Sequence, residues 1–412
     1  MKLRHMSLFR TWLFWSLILV WATPMAVAAP SAVVNEMRVA KHQDHTRLVI
    51  DISEKVDINV FTLADPYRVV IDFPEVGWRI DPAAAKQNVG LMKGFRYGLF
   101  RPGRSRMVID LTGPSALANK FLLPPEGQRR YRLVLDLVPT DRASYLKTAG
   151  WPDAAPLEAP SVLEEPPVDP GAEKQRNAKR VIVIDPGHGG VDPGATGVSG
   201  VQEKDLVLSV AGTLRSALEA TGKYKVVMTR DTDIFLSLKA RVAAGRREKA
   251  DLFISVHADS APNSGARGAS VYTLSERASD REAEALARSE NQSDVIAGVD
   301  LTKESDIVTS ILIDLAQRET KNSSVKFAQA LVPELQRVGG VTQKSHRFAG
   351  FRVLKAPDVP SVLIELGYLS STHDESAMKS RRWRANMAAA ITRAVDAYFK
   401  QSRSEQKAEA GQ

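Results

Sequence analysis

Four stretches in the first third of the chain set charged ends around an apolar middle: "RLVIDI" from Arg47, "RVVIDF" from Arg68, "RMVIDL" from Arg106 and "RLVLDL" from Arg132. β-Branched residues with polar flanks suit a half-buried strand, and Gly, Pro and Asp punctuate the gaps in "ADPY", "DFPEVGW" and "FRPGRS". The pattern predicts an all-β sandwich of short strands over 31–139. No acid, base or nucleophile constellation stands in this region, so the repeat is read as strand chemistry alone.

Past Pro139 the pattern lapses. Six prolines fall from Pro152 to Pro170, in and just before the acidic-apolar run "APLEAPSVLEEPPVDPG", and 140–179 reads as an extended linker. Beyond it apolar runs alternate with helical stretches: "RVIVID", "DLVLSVAGTLRSALEA", "YKVVMTR", "LKARVAAGRREKA", "DLFISVHAD" and "ASVYTLSE". A long helical region from Asp306 to Val338, a strand "SVLIELGYL" and a last helix "RWRANMAAAITRAVDAYF" follow. This alternation predicts an α/β domain over 180–400, a central mixed sheet flanked by helices. The polar tail 401–412 is expected to fray.

The first 28 residues carry a basic start (Lys2, Arg4, Arg10), an apolar run from Trp12 to Ala22 and a small-residue site at Ala26-Val27-Ala28. They predict a cleaved signal peptide rather than a stable transmembrane anchor, because the run is short for a span. No Arg-Arg pair precedes the run, which points to the general secretory route.

Composition narrows the chemistry. The chain has no cysteine, which removes disulfides, thiolate nucleophiles and thiolate ligands, so any metal must be held by His, Asp or Glu. A net charge of +8 shrinks once Lys2, Arg4 and Arg10 are removed. With no nucleic-acid-binding motif beside it, that balance predicts no nucleic acid partner and is compatible with an acidic polymer.

In "RVIVIDPGHGGVDPGATGVSGVQEKDLVLSVA" a histidine, His188, follows a strand and sits among glycines, on the edge where open α/β sheets build their sites. Alone it would read as a tight turn. His257 ends a second strand run, "DLFISVHAD", and Glu203 opens the next helix. An acid there also suits the helix dipole. Together, two imidazoles and one carboxylate leave a fourth tetrahedral position for water, as a catalytic zinc requires. Glu365, at the end of "PSVLIELGY", is either a solvated strand end or a general base whose burial raises its pKa. His42 and His45 in "HQDH" read as a solvated loop; His346 and His373 flank the last strand without an assigned role.

Those motifs, "VIVIDPGHGGVDPGATG", "QEKDLVL", "LFISVHAD" and "PSVLIELGYLS", resemble the zinc-dependent N-acetylmuramoyl-L-alanine amidases of peptidoglycan turnover, from about Arg180 to Lys400. The region with the R-x-V-x-D strands resembles the AMIN domain that accompanies periplasmic members of cell-division type. The resemblance implies one Zn2+ held by His188, Glu203 and His257, with Glu365 as catalytic base. It also implies cleavage between N-acetylmuramic acid and L-alanine in wall remodelling and daughter-cell separation, in the periplasm and concentrated at the septum. Two other readings remain: a non-catalytic wall-binding or activator protein, and a zinc peptidase cutting within the stem peptide.

A charged insertion from about Glu276 to Arg318 resembles the extra helical segment of the division amidases, which covers the zinc cleft until an activator draws it away. That resemblance implies an inhibitory zinc ligand, with Glu290 first and Glu282 and Glu284 behind it. It also implies an activator with a LytM-type domain gripping the stripe Ile307, Ile311, Leu312 and Leu315, spaced as on an amphipathic helix. In the sandwich, Arg96, Tyr97, Arg101 and Arg104 are candidates for binding peptidoglycan.

Overall fold

The computed structural model describes residues 32–81, 84–150, 179–261, 266–299 and 311–410. The expected signal peptide and most of the linker lie outside the described residues.

The first domain stacks two sheets. Strands β1 (Ala32–Lys41), β2 (Thr46–Ile52), β5 (Val76–Trp78), β8 (Ser115–Leu123) and β9 (Tyr131–Pro139) form one, in the order β5-β1-β2-β9-β8. Strands β3 (Asn59–Leu63), β4 (Arg68–Pro74), β6 (Met92–Arg101) and β7 (Arg104–Leu111) form the other, in the order β3-β4-β7-β6. Alternation along β2 buries Thr46, Leu48, Ile50 and Ile52 and turns Arg47, Val49 and Asp51 outward. Leu48, Ile50, Val69, Ile71, Met107 and Ile109 meet between the sheets.

The repeat does more than strand chemistry. Antiparallel pairing of two R…D phrases sets each arginine opposite the other's aspartate: Arg47 faces Asp136, and Arg106 faces Asp72. Both pairs are two-pronged, with Arg47 donating to Asp136 at 2.7 and 2.8 Å and Arg106 to Asp72 at 2.6 and 2.9 Å. A slip of one residue would turn every side chain to the other face, so these pairs help to specify register.

The linker begins later than 140. Helix α1 (Arg142–Thr148) is capped by Asp141, whose side chain accepts from the Ser144 amide, and Tyr145 is buried in the sandwich core. One aromatic anchor and a cap close this turn onto the domain, where the proline-rich sequence that follows suggested only extension.

The second domain has three layers. Strands β10 (Arg180–Pro186), β11 (Tyr224–Met228), β12 (Leu252–His257), β13 (Ala269–Leu274), β14 (Val341–Ala349) and β15 (Ser361–Glu365) form a sheet in the order β11-β10-β12-β15-β13-β14. The sheet is mixed because β13 runs antiparallel to β15, while its other pairings are parallel. Helices α2 (Glu203–Ala220), α6 (Ile311–Gln336) and α8 (Arg381–Ala410) cover one face, packing on Ile182, Ile184, Ile254 and Ile364. Helices α3 (Leu238–Arg247) and α4 (Arg281–Glu290) cover the other, over Val183, Phe253 and Leu363. Two further short helices lie among the described residues, α5 (Ser293–Ile296) after α4 and α7 (Thr372–Lys379) before α8. The polar tail continues the last helix past Gln401, with α8 running to Ala410 through residues of good helix propensity.

Candidate metal centre and active site

Strands β10, β12 and β15 are neighbours and parallel, so their C-terminal ends open on one edge of the sheet. His188 lies just beyond β10, and the register of β12 with β15 sets His257 directly beside Glu365. Glu203 is the first residue of α2. The backbone there is shaped for close approach. A Cβ on Gly187 would lie 2.3 Å from the His257 ring, and one on Gly194 would lie 2.7 Å from both Glu203 and His188. His188 itself has φ 56°, an unusual value for a residue with a Cβ. Buried Arg241 holds that turn by donating to the His188 carbonyl at 2.6 Å.

The three side chains converge. Oε1 of Glu203 lies 3.2 Å from Nε2 of His188 and 3.3 Å from Nδ1 of His257. Glu203 is held by the backbone, its Oε1 accepting from the Ala258 amide at 2.8 Å and its Oε2 from the Ala195 amide at 2.9 Å. Nδ1 of His188 lies 2.9 Å from Asp192, so the other nitrogen faces inward. Sequence reasoning passed over Asp192, although it stands four residues after His188 in the same motif.

Two observations fit a metal here. Among the described residues Nε2 of His188 and Nδ1 of His257 are buried with no hydrogen-bond partner, aimed at the centre that Glu203 completes. The charge balance also favours a cation. Burial disfavours a charged imidazole, yet Glu203, Asp192 and Glu290 hold His188 well above the usual histidine range. Burial likewise opposes charge on His257, and Glu290 and Glu203 override it. Two neutral imidazoles and a carboxylate are ligands that zinc accepts.

Glu365 is fully buried at the end of β15. Its Oε2 accepts from the Asp259 amide at 3.0 Å, and its Oε1 has no hydrogen-bond partner among the described residues. Burial pushes its pKa well above the usual carboxylate range, and the nearby Glu203, Asp259 and Glu290 add to the effect against His257.

Glu290, at the C-terminal end of α4, enters the same centre. Its Oε2 lies 3.1 Å from Nδ1 of His257 and 3.5 Å from Nε2 of His188. Helical spacing explains the choice among the acids of this segment: Ala283, Ala287 and Glu290 share the buried face of α4. Glu282 instead pairs with Arg347 at 2.6 Å, and Glu284 pairs with Arg288 on the exposed side. With Glu290 in place, the space left behind the histidines is a cavity of about 10 Å³, bordered by Gly187, Leu238, Arg241 and Val353. That is room for about one water.

The remaining candidates lie elsewhere. Ile307 is outside the described residues, as are the side chains of Ile311, Leu312 and Leu315, whose backbone opens α6. His42 and His45 stack on each other at 4.4 Å in the sandwich, away from the centre. His346 faces Thr273 at 3.1 Å, and His373 pairs with Asp374 at the surface. Arg96 is partly buried and already engaged, reaching Asp110 and the Ile296 carbonyl of the second domain. Tyr97 donates to the Ile80 carbonyl at 2.9 Å.

Comparison with known proteins agrees with this geometry. Residues 182–397 match the N-acetylmuramoyl-L-alanine amidase family and residues 36–137 match the AMIN domain. The chain is 35% identical to the N-acetylmuramoyl-L-alanine amidase AmiC of Escherichia coli O6:H1, over 92% of this chain and 93% of that one. It is 34% identical to AmiC of Neisseria meningitidis serogroup B, again over 92% and 93%. Similarity to AmiA of Escherichia coli K12, 38% identical, covers 55% of this chain and 78% of that protein. A buried His-Glu-His centre at the end of a mixed sheet, behind an AMIN domain, therefore stands in a chain that belongs to the N-acetylmuramoyl-L-alanine amidase family of peptidoglycan hydrolases.

Proposed function

We propose that the chain is a zinc-dependent amidase that frees the stem peptide from N-acetylmuramic acid at L-alanine, and that Glu290 holds it inactive at rest. The observation that carries the reading is the pair of unpartnered, buried nitrogens of His188 and His257 converging on Glu203. These three residues would hold Zn2+, which when bound supplies Lewis acidity and a water acidified toward a pKa of ~7.

The chain's own residues do the rest. Asp192 fixes the tautomer of His188 by accepting from Nδ1–H. The Asp259 amide orients Glu365, leaving Oε1 free to take the proton that water loses on attacking the amide carbonyl. Glu365 then returns that proton to the departing amine of L-alanine. A carboxyl whose pKa is raised by burial suits both transfers. Glu290 occupies the open side of the centre, where a substrate carbonyl would have to enter.

The setting follows the same reading: export through the leader to the periplasm, concentration at the division septum, and peptidoglycan recognition through the sandwich. Among the described residues no helix is long and apolar enough to cross a membrane. An activator with a LytM-type domain would withdraw the segment that carries Glu290 by gripping the stripe from Ile307 to Leu315. Deleting residues up to Pro139 tests the sandwich's role, and sacculus pull-down equal to that of the intact chain would refute it.

Muropeptide analysis with metal content measured in parallel tests the core of the proposal. Intact stem peptides released in proportion to bound zinc support it. Fragments of stem peptides would indicate a peptidase, and tightly bound but undigested sacculi would indicate a wall-binding protein without activity.

A further inference from the structure

The two domains meet at the segment that carries the block. The outward face of the β3-β4-β7-β6 sheet lies on the end of α5 and the turn that follows it, and three of its arginines donate to consecutive carbonyls there. Arg68 reaches Val295. Arg96 donates to Ile296 at 2.6 Å, and Arg106 donates to Ala297 at 3.2 Å and Gly298 at 2.9 Å. Arg106 is wholly buried and lies 3.6 Å from the centre of the Phe100 ring. Phe100 in turn stacks on Phe235 of the second domain, centroids 5.7 Å apart. Val70 and Val108 join this cluster with Val191 and Ala297.

The same segment is pinned from its other side. Ser293 donates to Asp192, the residue that orients His188, and Asp294 accepts from the Leu238 amide at 2.9 Å. Glu290 therefore cannot leave the centre by a movement of α4 and α5 unless the carbonyls at 295–298 part from the sandwich or the sandwich travels with them. Carbonyls that end a helix carry its negative dipole end, and guanidinium groups match it in charge and in hydrogen bonding.

We infer that the arginine face of the β3-β4-β7-β6 sheet is an interdomain latch: the sandwich holds the Glu290 segment closed, and separation of the domains favours opening. This rests on the reading that Glu290 blocks the site. It gives the first domain a regulatory role besides wall binding, because anything that draws this face away also loosens the block.

Gly98 allows a clean test. It lies in β6 on the docked face, and a Cβ there would stand 2.4 Å from the Gly190 backbone. Valine suits a strand, so Gly98→Val leaves the sandwich able to fold while wedging the domains apart. Arg96→Ala removes one clamp by a different route. In the full chain loaded with zinc, without activator, both variants should release stem peptides from soluble glycan strands several-fold faster than the unaltered protein. Small-angle scattering should show Gly98→Val to be more extended. A Glu290→Ala chain should be fast, and adding Gly98→Val to it should change nothing further. If Glu290→Ala is fast while both interface variants stay at the basal rate, the latch is overturned and the block stands. If Glu290→Ala stays at the basal rate, the block itself fails and the latch with it. A Gly98→Val chain as compact as the parent would contradict the close approach and overturn the latch directly.

Discussion

Oε2 of Glu290 lies 3.1 Å from Nδ1 of His257, so a carboxylate from α4 joins Glu203 against the two imidazole nitrogens that face the centre. On the proposed reading the arrangement is self-blocking: the inserted group carries the charge and the oxygen donor that a metal centre accepts. Since α4 also buries Ala283 and Ala287 against the sheet, Glu290 is held in place by packing as well as charge.

Glu290→Ala removes the intruding carboxylate and leaves the packed face of α4 intact. Basal hydrolysis without activator should rise by roughly tenfold or more, as a two-state closure loses its preference for the closed form. Initial rates on dye-labelled sacculi, with and without added activator, check this. An equal rate in the variant and the parent would mean that the carboxylate is not what excludes substrate.

Ligand and base should separate cleanly. His188→Ala and His257→Ala are expected to lose both bound zinc and activity. Glu365→Gln is expected to keep zinc and lose turnover by about 10²–10⁴-fold, the usual contribution of a positioned general base. Metal analysis of each purified variant beside its turnover rate makes the distinction. A Glu365→Gln chain with normal turnover would move the base elsewhere, with Asp259 the next residue to examine.

Asp192 touches His188 but not the centre itself. Asp192→Asn should weaken zinc affinity about 10–100-fold, as replacement of a group that orients a ligand generally does. Competition against a chelator of known affinity measures it. Wild-type affinity would show that the turn around His188 is held by Arg241 alone.

Acid should loosen the sandwich through Asp136. The Arg47 guanidinium, helped by Asn119 and against burial, holds the Asp136 carboxyl down to about 2 from an ordinary 3.8. A depressed folded-state pKa gives stability that is complete above the unfolded value and is lost as pH falls toward the folded one. The contribution at neutral pH is ~1 kcal/mol, because Arg47 is 40% exposed and solvent screens the pair. Thermal melts of the parent and Asp136→Asn should differ at pH 6 and converge between pH 4 and pH 2. A gap independent of pH would assign the effect to packing.

Much of the molecule was legible in one dimension because the signals are local. Alternating phrases such as "RLVIDI" need only their own side chains to declare a strand, and buried strands alternating with helices declare an α/β layer. His188, Glu203, His257 and Glu365 stood out because each ends or begins such an element, where an otherwise apolar pattern stops at a metal-binding or titratable group. The edges were misjudged where a single contact decides: Tyr145 draws α1 out of the expected linker, and the polar strand β14 is stabilised by pairing with β13 rather than by any pattern of its own.

Only tertiary structure could set Glu290 against His257, or choose it over Glu282 and Glu284 by geometry, because the outcome depends on which face of α4 meets the sheet. The same holds for the arginines of the repeat. In sequence Arg47 and Arg106 are equivalent, each opening the same phrase, and each pairs with an aspartate from another repeat. Arg47 is left at the surface, while Arg106 is buried against the carbonyls after α5. Periodicity specifies which residues share a face, but what covers that face is a property of two domains meeting, and no local pattern encodes the partner.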